Sequence, residues 1–158
     1  MISAIRSSLF LLVLLLVVAC NEKPFFDSYH HLNKGWHKDS IVHFDVSISD
    51  TSAHYGINVK LRHNAEYPYS NLWVFRRIAS NLGTEYQDSA NFILADPSGK
   101  WLGQGVGELK TVVRKYREEA LRFRAPGIYT FYLQQGMRMD DLPGIEAVGL
   151  EVYKLEEE

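Results

Sequence analysis

From Val42 to Ile48 the chain alternates without a break, Val42, Phe44, Val46 and Ile48 against His43, Asp45 and Ser47. Successive side chains of a strand point to opposite faces, so this stretch reads as a half-buried β-strand. The same period of two returns in Ile57, Val59 and Leu61 against Asn58, Lys60 and Arg62, and again in Val148, Leu150 and Val152 near the end. Ile128-Tyr129-Thr130-Phe131-Tyr132-Leu133 is rich in β-branched and aromatic residues and reads as a core strand. Leu72 to Ile78 begins apolar on both faces, which suits a central strand. A further strand lies within Thr84 to Ala95, with its firm apolar part at Phe92-Ile93-Leu94-Ala95. Polar or glycine-bearing breaks separate these runs, and Asp96-Pro97-Ser98-Gly99 has the acid, proline and glycine at the positions a type I turn prefers. About seven to eight short strands divided by turns predict an all-β chain, a single antiparallel, jelly-roll-like β-sandwich.

Local pairings are also expected. The strands 42–48 and 57–61 read as antiparallel neighbours, and the Asp96–Gly99 turn is expected to join its strand to a short partner, Lys100-Trp101-Leu102. Residues 109–123 are ambiguous. Leu109, Val112, Val113, Tyr116, Ala120 and Phe123 fall near helical spacing, whereas Leu121, Phe123 and Ala125 alternate before Ala125-Pro126-Gly127. The reading is a loop or short helix to about residue 116, then a strand and a turn opening a hairpin. Arg76 and Arg77 are adjacent, so a strand sends them to opposite faces and they form no clamp.

The N-terminus sets the destination of the chain. One cation, Arg6, precedes the apolar block from Leu9 to Val18, which stops at Ala19-Cys20. This is a signal-peptide layout, and the block is shorter than the roughly 18 residues that cross a hydrocarbon core. Val17-Val18-Ala19-Cys20 resembles the bacterial lipobox, in which cleavage falls between the residues corresponding to Ala19 and Cys20 and acyl chains attach to the cysteine. Residues 1–19 are then a lipoprotein signal peptide, 20–40 a lipidated N-terminus and tether of which part docks on the core, and 41–158 the β-sandwich domain. Cys20 is the single cysteine, so no internal disulfide forms, and acyl chains on Cys20 would hold the mature chain on a membrane.

Composition and motifs narrow the chemistry. With 17 Lys and Arg against 19 Asp and Glu, the chain has no long-range field to gather nucleic acid. His30, His31, His37, His43, His54 and His63 match no metal-ligand box, and in a strand only His43 and Asp45 share a face, so no metal or other cofactor is expected. The alternating glycines of Gly103-Gln104-Gly105-Val106-Gly107 lack the βαβ context of a nucleotide loop and read as turns or bulges. No nucleophile elbow or Cys/His signature is present, and Asp140-Asp141 and Glu118-Glu119 read as solvated pairs. No catalytic residue and no small-molecule substrate are assigned.

Asp96-Pro97-Ser98-Gly99-Lys100-Trp101-Leu102-Gly103-Gln104-Gly105, Pro126-Gly127-Ile128-Tyr129-Thr130-Phe131, Gln135-Gly136-Met137-Arg138, Leu142-Pro143-Gly144-Ile145 and Val148-Gly149-Leu150, in this order, resemble the GldH family of gliding-motility lipoproteins of Bacteroidota. The resemblance implies a non-catalytic, membrane-anchored envelope protein that acts with other proteins of the gliding machinery. A lipid-anchored, periplasm-facing position is expected, with inner and outer membrane both open, because Asn21-Glu22-Lys23 holds one acid rather than an acidic cluster. Trp36 and Trp101 are the candidate interaction residues. A carbohydrate-binding envelope lipoprotein is the alternative, with Trp36, Trp73 and Trp101 as candidate sugar platforms.

Overall fold

The structure is a computed structural model that describes residues 24–155. The signal peptide, its cleavage point at Ala19 and Cys20, and the lipid-attachment residue Cys20 lie outside the described residues. Within them the architecture is all-β and antiparallel. Ten strands form in chain order: β1 (Phe26–His31), β2 (Trp36–His37), β3 (Val42–Ile48), β4 (His54–His63), β5 (Asn71–Ser80), β6 (Gly83–Ile93), β7 (Lys110–Lys115), β8 (Gly127–Gln135), β9 (Asp141–Leu142) and β10 (Ile145–Leu155). One four-stranded sheet has the order β1-β10-β4-β7, the other the order β3-β8-β5-β6, and β2 and β9 make a two-residue ribbon.

The alternation seen in the sequence decides what lies between the sheets. Val42, Phe44, Val46 and Ile48 of β3 meet Tyr129, Phe131 and Leu133 of β8, Leu72, Val74 and Ile78 of β5, and Val59, Leu61, Leu150 and Val152 of the facing sheet in one core. Phe131, with no exposed surface, takes the edge of the Tyr116 ring at 5.6 Å. On the side where β1 and β3 run, Phe26 closes over Phe44 at 6.3 Å between ring centres.

Two expected pairings, and the expected order of loop and strand in residues 109–123, differ from what is observed. β3 pairs with β8, and β4 pairs with β10 and β7, so the two alternating strands of the N-terminal half lie in opposite sheets. The polar connection from Ser49 to Ala53 crosses the sandwich rather than folding back, its turn held by Asp50 Oδ1, which accepts from the Ser52 and Ala53 amides. Residues 110–115 form β7 and residues 117–126 form no strand, the reverse of the predicted order. Thr111, Val112 and Val113 are β-branched, and β4 offers them an open ladder edge. β8 therefore pairs with β3 and β5, not with a preceding hairpin arm. Part of the segment before Ile41 docks on the core as a strand, β1 forming six antiparallel pairs with β10.

Other expectations hold in detail. Ala95 and Trp101 bridge across the turn, and Asp96 accepts the Gly99 amide at its carbonyl and the Ser98 amide at its carboxylate. Arg76 is buried and Arg77 faces out. The outer face of the β1-β10-β4-β7 sheet is paved with polar contacts: Lys60 bonds Asp27 at 2.7 Å and Glu151 at 3.0 Å. Tyr29 lies on Gly149, whose added Cβ would stand 2.8 Å from the ring, and Tyr153 lies on Gly56 in the same way.

His63 of β4 has no exposed surface, and its Nε2 has no hydrogen-bond partner. Its ring packs against Trp101 with 4.4 Å between ring centres and the planes inclined at 60°, and burial pushes its pKa down, against the opposing effect of the Asn64 carbonyl. Folded His63 stays neutral where the unfolded chain takes a proton, so its contribution is complete above the ordinary histidine pKa of about 6.5 and is lost as pH falls below it. Urea unfolding between pH 8 and pH 5 is expected to show this loss, and His63→Leu is expected to flatten it; an unchanged slope would show that His63 does not carry it.

Candidate functional site

The outer face of the β3-β8-β5-β6 sheet is the place where apolar surface is left uncovered. β5 is central, between β8 and β6, as its doubly apolar start predicts. Leu72, Val74, Arg76 and Ile78 point inward, so Trp73, Phe75 and Arg77 must point out. No helix among the described residues packs on them. Trp73 is 44% exposed and Phe75 53%, two large aromatics about 7 Å apart along one strand. Ile41 and Ile93, also exposed, extend the apolar area.

Neighbouring strands give this surface relief. Gly136 lies beneath Phe75, where a Cβ would stand 3.2 Å from the ring. Its amide donates to the Trp73 carbonyl at 2.7 Å, and the Trp73 amide donates to the Met137 sulfur at 3.4 Å. A groove of about 460 Å³ results, lined by Tyr69, Asn71, Trp73, Gly136, Met137 and Arg138. This is the size of cleft that takes a small molecule or an anchoring side chain. Arg77 stacks on Tyr132 at 3.8 Å, and neither Arg77 nor Arg138 has a carboxylate partner among the described residues. Asn71 and Asn91 share a hydrogen bond of 2.7 Å beside Trp73.

The tryptophans proposed from sequence are placed differently. Trp36 is fully buried, its Nε1 donating to the Ser40 carbonyl at 2.8 Å, so it is a core residue and offers no surface. A large apolar ring in a two-residue ribbon buries more area turned inward than left in water. Trp101 is partly buried against His63 and does not line the groove. Trp73 is the exposed member of the three. Phe75, Met137 and Arg77 were not singled out, although outward aromatics two apart in a strand, in a chain with no clear helix to cover them, are a signal that could have found them.

The buried arginine of β5 is paired. Arg76 forks onto Asp88, with Nε to Oδ1 at 2.7 Å and Nη2 to Oδ2, and the Tyr86 hydroxyl also donates to Oδ2. Burial opposes the Asp88 charge, but the bonds from Arg76 and Tyr86 outweigh it and hold its pKa below the usual range. Among the described residues no three His, Cys, Asp or Glu side chains come together as metal ligands would.

A family model described as GldH lipoprotein matches residues 24–152. The chain belongs to the GldH lipoprotein family. The gliding motility lipoprotein GldH of Flavobacterium johnsoniae is 33% identical over 144 residues, covering 90% of this chain and 89% of that protein. A gliding motility lipoprotein GldH homolog of Christiangramia forsetii is 32% identical over 159 residues, covering 96% and 97%. The crystal structure of dimeric latent PorU from Porphyromonas gingivalis overlaps 87% of this chain and 14% of that one at 8% identity, and its TM-score of 0.31 is too low to speak for a shared fold. The GldH match begins just before β1 and ends within β10, so it takes in both sheets and the whole of the Trp73–Phe75 face.

Exposure and pairing make opposite demands on stability. Trp73→Ala is expected to change unfolding free energy by no more than about 0.5 kcal/mol, as surface changes do. Asp88→Ala leaves the Arg76 guanidinium buried and unpaired and is expected to cost on the order of 3 kcal/mol. Chemical denaturation of both variants checks the contrast; equal losses would mean that Trp73 is packed or Arg76 hydrated.

Proposed function

We propose that this protein is a non-catalytic component of the gliding machinery, held on an envelope membrane by acyl chains on Cys20 and facing the periplasm, and that it docks another envelope protein on the Trp73–Phe75 face. Family membership supports the gliding role. The observation that carries the docking reading is the chemistry of the open sheet face. Trp73, Phe75, Tyr69, Met137, Arg77 and Arg138 are the residue types enriched where proteins meet, and lysine, aspartate and glutamate are absent from the groove lining. An aromatic anchor beside a groove is also the usual core of a binding hot spot.

The Asn71–Asn91 amide pair beside Trp73 favours a second reading, a platform for a neutral glycan, since amides and flat rings suit sugar hydroxyls and C–H faces. The two arginines add nothing to such a ligand, which places it second. Isotherms against a glycan panel are expected to be flat.

The test is gliding itself. A strain lacking the gene is expected to lose colony spreading and single-cell gliding, with rescue by the intact gene. Trp73→Ser with Phe75→Ser is expected to give a folded, membrane-associated protein that does not rescue. Cys20→Ala is expected to leave the domain folded but move it to the soluble fraction, and its retention in membranes would overturn the anchorage. Full rescue by the Trp73/Phe75 variant would remove the docking face from the proposal.

A further inference from the structure

The two long sides of the sandwich are closed differently. Where β1 and β3 run, Phe26 and Phe44 fill the seam. On the opposite side the edges are β6 and β7, and the Arg114 guanidinium reaches across to donate to the Ile93 carbonyl at 2.6 Å. Between these edges lies a cleft of about 380 Å³, whose charged lining is Arg76, Arg114, Lys115 and Arg117 against Glu118 and Glu119.

The orientation of the β6 backbone follows from its neighbours. The Leu94 amide turns to the Ser70 carbonyl on the β5 side, whereas the Ile93 carbonyl turns outward to Arg114. Residues of an antiparallel strand alternate in this respect, so Gln87, Ser89 and Asn91 also direct their N–H and C=O groups away from β5. β6 pairs with β5 alone, and all three residues are exposed. The window is bounded on both ends: the register slips at Glu85, an extra residue between the pairs Ile78–Tyr86 and Ala79–Thr84, and Arg114 occupies Ile93. Bulges, prolines and charges are the usual protection of an edge. Between the bulge and the arginine the one charge is Asp88, already bound by Arg76.

A strand added here would send alternate side chains inward to the cleft. There the Tyr116 hydroxyl is buried and has no hydrogen-bond partner, although the residue has no exposed surface at all. Arg114 donates to backbone carbonyls rather than to a carboxylate, and Arg117 approaches Glu119 at 3.7 Å while stacking 4.6 Å from the Tyr86 ring. Glu118 and Glu119 offset Lys115 and Arg117, and Asp88 offsets Arg76, so the lining keeps one surplus cation, Arg114, with no carboxylate partner among the described residues, which favours an acceptor carrying negative charge.

We propose that β6 receives an extended segment of a partner polypeptide by strand addition between Gln87 and Asn91, with an acidic side chain of that segment entering the cleft beside Tyr116 and Arg117. Backbone pairing supplies affinity in this mode, and the pockets for alternate side chains supply selectivity. The window lies one strand over from the docking face, Asn91 pairing with Trp73 and Ser89 with Phe75, but its test reads peptide binding at the free β6 edge, so its failure is distinguishable from failure of the gliding reading.

The probe is a labelled nine-residue peptide alternating threonine and glutamate, with a threonine–lysine peptide as its counterpart, added to the full chain in detergent micelles. Binding of the acidic peptide is expected, with slower amide exchange at Gln87, Ser89 and Asn91. Ser89→Pro removes an outward N–H without touching the β5 ladder and is expected to weaken binding at least tenfold. Arg117→Glu is expected to weaken it similarly with the edge intact, and it decides the matter if the proline variant does not fold. No binding, equal binding of the lysine peptide, protection confined to the Trp73 face, or unchanged affinity in both variants would overturn the proposal.

Discussion

A sheet in a chain with no helix to cover it can bury one face only, against another sheet. The described residues provide no other layer, so the contact between the two four-stranded sheets is the interaction on which everything else depends. It fixes Phe131, Leu133, Leu61 and Leu150 without exposed surface, and it commits each strand to a strict inward and outward division of its side chains. It also guarantees two outer faces and two long sides that the fold itself does not cover. The functional question becomes how each of these four surfaces is finished.

They are finished with different chemistry. The outer face of the β1-β10-β4-β7 sheet is sealed by its own groups, Lys60 between Asp27 and Glu151 and tyrosines laid over Gly149 and Gly56. Arg62 stacks on Tyr29 at 4.8 Å and completes that layer. Such a surface is satisfied and gives a partner little to gain. On the other outer face, Trp73 and Phe75 remain in water beside Arg77 and Arg138, which have no carboxylate partner among the described residues. That asymmetry between two sheets of equal strand number is why the docking reading falls on one of them.

Much of this was legible before the structure, for local reasons. The period of two in β3, β4 and β10 reports which side chains face the core, and the Asp96 turn follows from the preferences of single positions. Strand pairing is another matter, because alternation says that a strand has a partner but not which one. β3 and β4 carry nearly the same pattern and lie in opposite sheets. Residues 110–115 look helical when Val112 and Tyr116 are counted alone; the ladder to β4 overrides that spacing. Phe26 to His31 shows no sustained period because β1 is an edge strand with little buried surface of its own. Arg76 and Arg77 were separable by the alternation rule alone, yet that one of them binds Asp88 depended on a register no single sequence reveals.

The order of the chain also orients the candidate surfaces against the proposed anchor. β1 starts at Phe26 beside Val152, at the end of the sandwich where β3 passes to β4. Six Cα-to-Cα steps take the chain from Cys20 to Phe26, a reach of at most about 20 Å even when fully extended. A lipid on Cys20 would therefore hold that end toward the bilayer. Trp73 and Met137 sit at the opposite end, where β5 begins and β8 finishes. The aromatic groove then stands about one strand length from the lipid, and the free run of β6 from Gln87 to Asn91 extends toward it from the middle of its sheet. A surface displayed there is reached by a partner that approaches from the aqueous side, which is the direction a periplasm-facing anchor leaves open.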